Sequence, residues 1–527
     1  MPNLLKPRDS GELRQNFGAI LAFGLFSAFL AINHEPWRDE AQSWLISRDS
    51  HSLSNLFHWM GYEGTPALWH ILIYPLTQLG LPYESMFLFH LLLSFLAAVL
   101  FLFYSPFPQA QKTLAVFGYF LLYEYTVIAR SYVLVVILLF SIATVYQTRF
   151  SRPLTFATLI ALLANTSVHG LVVSLALLFT FSLELQRRHR TGKQVFAAMI
   201  PIIGCIVAVL QVLPPIDLNP ATAEWHLDFS PRNLGGIPHA VLGAFVPVPQ
   251  LKTAFWNSRL IYSFTPIMAL LGIPIFLYSL CHLAKKPIPL AIYSLSNTGL
   301  FAIIFLKDRG SLRHHGLIFI LFLFCIWISH HYPDSRLRLK PLSRFTSSHF
   351  LSRTLTLFLS LHIMAAATAS FFEIRYDFSA SRKAAEFLAQ TELDNPNTLV
   401  AAYPAYAAAP VLPFLTRIRQ FYYLEYETFG SFLIWNKEYY QNRELTMRQI
   451  MKRVGRVPRG EKSELYLILN SRLDEHPQFM TKFELVPHFD QTIVPEESLF
   501  IYRSKVSPEV EGDSNEVDVG ENNGGNT

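Results

Sequence analysis

Charge is what this chain has least of. Asp, Glu, Lys and Arg make up 15% of its 527 residues, against about 25% in an ordinary soluble domain, while 51% are hydrophobic. A large soluble enzyme is therefore excluded. Cysteine is scarce too. Cys205, Cys281 and Cys325 all fall in apolar runs with no CxxC between them, so neither a disulfide framework nor a thiolate metal site is readable, and they read as small core residues. No HExxH or comparable ligand spacing occurs. No small-residue cleavage site follows the first apolar run; Asn33-His34-Glu35-Pro36 stands there instead, which reads as an uncleaved signal anchor. The net charge of +5 does not point to nucleic acid, because the basic residues sit in particular loops, where they report orientation.

What is present is a series of apolar runs near span length. They cover roughly 17–32, 86–104, 113–126, 131–147, 153–167, 169–185, 195–213, 260–281, 288–306, 316–330 and 350–372. Four connections are basic: Arg149/Arg152; Arg187, Arg188, Arg190 and Lys193; Lys285/Lys286; and Arg336, Arg338, Lys340 and Arg344. The positive-inside rule places all four in the cytoplasm. Segment 66–79 would break that parity if it crossed. It has about 14 residues where roughly 20 are needed, and Pro66, His70 and Pro75 interrupt it.

The expectation is a polytopic α-helical membrane protein with about eleven transmembrane helices. It places a re-entrant or interfacial helix at 66–79, the N-terminus in the cytoplasm and the C-terminus outside the plasma (inner) membrane. Residues 1–15 form the cytoplasmic N-terminus and 16–372 the membrane domain, with outer loops at 34–85 and 214–259. In 373–506 charges return. Strand-like runs Thr398–Ala402, Leu465–Leu469 and Ser498–Tyr502 alternate with helical Ser381–Gln390 and Leu445–Val454, predicting a small extracytoplasmic α/β domain. Residues 507–527 hold six acids and no Lys or Arg and read as a disordered tail.

The chemistry concentrates in the loop from His34 to Pro66, directly after the first apolar run. Asp39 and Glu40 stand side by side there. An acid pair behind Pro36 suits the positive end of a helix dipole. A carboxylate at the membrane edge is also a functional candidate, since partial desolvation fits it for taking a proton from an attacking hydroxyl. Both readings stay open from residues alone.

The acidic pair, the helix after it and Glu63-Gly64-Thr65-Pro66-Ala67-Leu68-Trp69-His70 together resemble the membrane glycosyltransferases of the GT-C fold. Within that superfamily the likeness is to the protein mannosyltransferase and aminoarabinose transferase group. There an acidic pair in the first outer loop precedes a segment with two prolines; here that segment has one. Ile128-Ala129-Arg130-Ser131-Tyr132 is similar to an Ala-Arg-Met-Tyr-like element of the same enzymes. The match covers roughly residues 15–190 in order and spacing.

The resemblance implies transfer of a sugar from a polyprenyl-phosphate-linked donor to an acceptor glycan, lipid or protein on the outer face. Asp39 would be the general base, with Glu40 shaping the site or holding the sugar. Arg130 is a candidate for the donor phosphate, against the plainer reading of an arginine snorkelling to the interface. So are Arg309, Arg313 and His314 in the cationic stretch Lys307–His315, which sits outside against the orientation rule. Its plainer reading is pairing with anionic membrane lipids or with Asp308. Arginine forks suit phosphate oxygens, and charge stabilisation of a leaving group is a large catalytic effect. Arg38, Glu63, His70, His169, Glu224 and Asp228 are substrate-loop candidates. Some relatives use a divalent cation and others do not, so an ion on Asp39 or Glu40 stays open and no cofactor is assigned. A glycan polymerase or ligase using a diphospho-lipid would carry a second strongly cationic outer loop, which 214–259 is not. A transporter would show internal repeats with broken helices at mid-membrane, and none is found.

Overall fold

The computed structural model describes residues 10–187, 191–218, 227–260, 265–307, 309–335, 347–395, 397–459, 464–473 and 477–505. Among them, seven helices are long and apolar enough to cross a membrane: Ser10–Asn33, Glu84–Tyr104, Val168–Gln186, Gly192–Val212, Pro287–Leu306, Leu312–Ser329 and Ser348–Arg375. Leucines face outward along them, Leu25, Leu88 and Leu210 among them. Exposed apolar surface of this extent requires an apolar surrounding. Leu312–Ser329 is the exception; it is buried along nearly its whole length and forms the axis of the bundle.

The run at 113–126 is not one helix. An α-helix over Gln109–Val116 gives way to a π-turn at Phe120–Glu124, a local widening that is frequent at functional sites. The loop 214–259 also departs from expectation. It contains a ten-residue helix, Gly236–Phe245, whose Ala240, Val241 and Leu242 are buried against the bundle. Ten residues are too few to register as a span, so this helix has no length signal.

Polar contacts gather at the two ends of the bundle. At one end Lys112 meets Glu12 at 2.8 Å, Arg149 meets Glu184 at 2.8 Å, and Lys286 meets Asp334 at 2.8 Å. The other end carries the loop after the first helix. Three short helices follow there: α1 (Arg38–Asp49), α2 (Leu53–Met60) and α3 (Leu68–Gln78). The last of these is 11 residues long and is tied to α1, its Thr77 hydroxyl donating to Ser47 O at 3.0 Å.

Beyond Arg375 the chain forms a six-stranded mixed sheet. Its strands are β1 (Leu399–Tyr403), β2 (Phe421–Tyr423), β3 (Thr428–Gly430), β4 (Leu465–Leu469), β5 (Phe483–Phe489) and β6 (Leu499–Ser504), in the order β3-β2-β1-β4-β6-β5. Ser381–Asp394 and Met447–Val454 are its main helices. The strands read from sequence become β1, β4 and β6. These are buried along most of their length and so are nearly continuously apolar, as central strands are. The expected tail at 507–527 lies outside the described residues.

Candidate active site

Asp39 and Glu40 turn to different surroundings. Glu40 is the structural member. Its Oε2 accepts from Trp37 N at 3.1 Å and lies 3.0 Å from His34 Nε2, and its Oε1 accepts from Ala129 N at 2.5 Å. Fully buried, Glu40 closes the first turn of α1 and pins segment 128–130 against it. Asp39, one position earlier, points the other way and is partly exposed, into a cavity of about 390 Å³.

Because Glu40 holds Ala129, the next residue is delivered to Asp39. The Arg130 guanidinium donates to Asp39 Oδ2 across 91 positions of sequence. Arg313 Nη2 stands 3.4 Å from the same oxygen and Arg38 Nε stands 4.0 Å from Oδ1. Arg313 is clasped between two indoles, 5.4 Å from the Trp37 centroid and 5.7 Å from that of Trp256. Trp256 Nε1 in turn donates to Glu124 Oε2 at 3.2 Å, beside Tyr119, whose hydroxyl donates to that oxygen at 2.8 Å. Glu124 sits in the π-turn. The widened backbone thus places a carboxylate behind the arginine that faces Asp39.

The cavity wall gathers several of the predicted residues: Asp39, Glu63, His70, Arg130, His169 and His314 all line it. Gly64 and Gly310 line it at φ of 60° and 70°, a region that favours glycine. At Gly310 an added Cβ would also stand 3.0 Å from His314 Nδ1. The turn there leaves Lys307 and His314 on the wall. His314 stacks on His169 at 4.9 Å, and its Nδ1 accepts from Ser311 N at 2.9 Å. Both His70 nitrogens are buried with no hydrogen-bond partner among the described residues. Val168, Val212, Ile303 and Ile304 supply an apolar side.

Besides Arg313, four of the predicted residues stand off the cavity wall, and one lies outside the described residues. Glu40 does not face the cavity, because its carboxylate is used up in holding backbone. Arg309 does not line it either; its Nε reaches toward Asn233 Oδ1 at 3.5 Å, and Lys307 takes the position on the wall. Arg38 turns toward the C-terminal sheet, 5.1 Å from the Tyr406 ring centroid. Asp228 is exposed and caps its own turn, accepting from Ser230 N at 2.8 Å. Glu224 lies outside the described residues. Sequence reasoning missed His34, Glu373, Trp37, Trp256 and Glu497. Glu373 had a signal, as an acid in the last turns of a span, where an unpaired carboxylate is costly.

Glu63 differs from Asp39 in having no ion-pair partner among the described residues. Its Oε1 accepts from Gln42 Nε2 at 2.8 Å. Burial pushes its carboxyl up to about 7, against hydrogen bonds from Gln42 and Trp435. Among the described residues, no group of three or more His, Cys, Asp or Glu is arranged to hold a metal ion. Compared with family models, with curated proteins and with solved structures, the chain matches none.

Proposed function

We propose that this protein is a membrane glycosyltransferase. It transfers a sugar from a polyprenyl-phosphate-linked donor to an acceptor on the outer face of the plasma membrane. The observation that carries the reading is the convergence of Arg130 and Arg313 on Asp39, which opens with Arg130 into a cavity walled also by Lys307 and four aliphatic side chains. A lipid phosphate needs cations and an apolar wall together, and the cavity supplies both.

In the proposed step the acceptor oxygen attacks the anomeric carbon as the bond to the phosphate oxygen breaks, with inversion. Arg130, Arg313 and Lys307 take the charge of the leaving phosphate. As the donor phosphate draws the two guanidiniums toward itself, Asp39 is released from its ion pairs and takes the acceptor's hydroxyl proton. Glu40, now a support, keeps Arg130 and Asp39 in register.

The membrane arrangement belongs to the same proposal. The seven long helices, with Gln109–Glu124, Tyr132–Thr148, Pro153–Ala164 and Leu270–Leu283, make eleven crossings. The N-terminus is then cytoplasmic and the C-terminal sheet outside. This puts Arg149, Lys285 and Lys286 in the cytoplasm, as the positive-inside rule asks. A cysteine at exposed Gln78 will react with impermeant reagents added from outside; reaction only from the cytoplasm contradicts the arrangement.

The direct test is consumption of radiolabelled polyprenyl-phospho-sugars by membranes carrying the wild-type chain. Turnover of one donor is expected. None across a panel moves the reading toward a diphospho-lipid enzyme or a transporter. The pH response adds a second expectation. Ionised Glu63 places like charge beside the donor phosphate, so KM for the donor rises as pH climbs through about 7. Glu63→Gln flattens that rise. An identical KM profile in wild type and variant removes Glu63 from the donor site.

A further inference from the structure

The turn that carries Asp39 is held from the far end of the sequence. Pro36 O accepts two hydroxyl hydrogen bonds, from Ser379 and from Ser381, each at 2.7 Å. Arg38 N donates to Glu497, 3.1 Å from Oε1 and 3.2 Å from Oε2, across 459 positions. Ala380 N donates to Glu497 O at 3.1 Å, which ties the two anchors to each other. One turn further along α1, Gln42 exchanges two hydrogen bonds with Leu433, at 2.7 and 3.0 Å. The N–H groups of a first helical turn have no partner inside the helix. Here one of them is satisfied by a carboxyl that is 1% exposed and belongs to the sheet unit.

We infer that the C-terminal sheet unit is a clamp on the Asp39 turn, with Glu497 as the positioning residue through which it acts. This rests on the proposed reaction for its effect on turnover, but not for the clamp itself. A docking contact serving stability alone could fall anywhere on the bundle. These contacts fall at positions 36, 38 and 42, on both sides of Asp39. Glu497 touches neither cavity nor substrate, and it acts only by fixing the backbone from which Asp39 projects. Burial pushes its carboxyl up to about 8, with Arg38 pulling it back. The working property is therefore acceptance of the Arg38 N–H, which an amide oxygen can also supply.

The test pairs hydrogen exchange of the intact chain in detergent with donor turnover, in Glu497→Ala and Glu497→Gln. In Glu497→Ala, amides of residues 37–42 will exchange at least tenfold faster while those of Leu312–Ser329 stay unchanged. Displacing a reacting group by about 1 Å can cost about 100-fold, so kcat is expected to fall 10- to 100-fold with donor KM within about threefold. Glu497→Gln will keep most of both. Unchanged exchange in a folded Glu497→Ala protein overturns the clamp. Faster exchange with unchanged kcat overturns the positioning role. If Glu497→Ala does not fold, the pair Ser379→Ala/Ser381→Ala, which leaves the buried carboxyl hydrogen-bonded, takes its place with the same two readings. If the wild type consumes no donor, the proposed reaction fails and exchange alone decides the clamp.

Discussion

Asp39→Asn will lower donor turnover by about 10²–10⁴-fold, the usual contribution of a general base, with normal protein levels in the membrane. Asparagine keeps the shape of the side chain and one acceptor oxygen, so the turn held by Glu40 and Glu497 is undisturbed. What it loses is the capacity to carry a proton and the charge that Arg130 and Arg313 share. Losing that charge gives the prediction a second component. In the proposed reaction the resting carboxylate competes with the donor phosphate for two guanidiniums. An amide competes poorly, so donor KM will fall or hold while kcat drops, the pattern left when a ground-state competitor and a transition-state group are removed together. Measuring kcat and KM separately on one active donor checks both. Equal kcat in variant and wild type leaves Asp39 as a counter-ion and removes the base from the mechanism. Glu40→Gln serves as the contrast. Because Glu40 binds backbone and His34 but not the cavity, its loss will show first in protein level and thermal stability.

How much of this was legible beforehand depends on the distance over which each feature is specified. An apolar run of about 20 residues specifies a span by itself, so the seven long helices fall on runs visible in the sequence. Likewise β1, β4 and β6 are short apolar stretches bounded by polar ones. The break at 116–120 is not local in this sense. Phe117, Phe120 and Leu121 keep the run apolar across it, and only packing shows that the helix widens to hold Glu124. The Asp39 and Arg130 segments were each visible, but their junction depends on Ala129 N finding Glu40, 89 positions away. In the cationic stretch, composition could not tell Lys307 from Arg309; that depends on the backbone at Gly310, with φ of 70°. His34 with Glu373 and Arg38 with Glu497 join positions 339 and 459 apart, and no local pattern encodes such a meeting.

His34→Ala will damage the fold more than any single change inside the cavity. The imidazole bridges two carboxylates, with Nε2 3.0 Å from Glu40 Oε2 and Nδ1 2.7 Å from Glu373 Oε1. Tyr123 donates its hydroxyl to Glu373 Oε2 at 2.6 Å. All three side chains of the bridge are sealed from solvent. Burial alone would lower the His34 pKa, but the two carboxylates outweigh it and raise it to about 10. Both ring nitrogens then carry protons and both donate. Removing the imidazole leaves two buried acids with no cation paired to them among the described residues, and breaking a buried pair this way costs about 3–5 kcal/mol. A lower melting temperature in detergent, or failure to accumulate, is the expected readout. The Glu40→Gln/Glu373→Gln background separates lost charge pairing from lost packing. There the same His34→Ala change strands no charge and will have a markedly smaller effect, whereas equal effects in both backgrounds would assign the loss to packing. The pH dependence has a fixed sign. The folded state holds the His34 proton more tightly than the unfolded chain, so this contribution is full below about pH 6.5. It declines as pH rises through about 10. Wild-type melting temperature will therefore fall across that window, and the fall will be shallower in His34→Ala. A parallel fall in both proteins would mean that the imidazole is not the charged centre of the bridge.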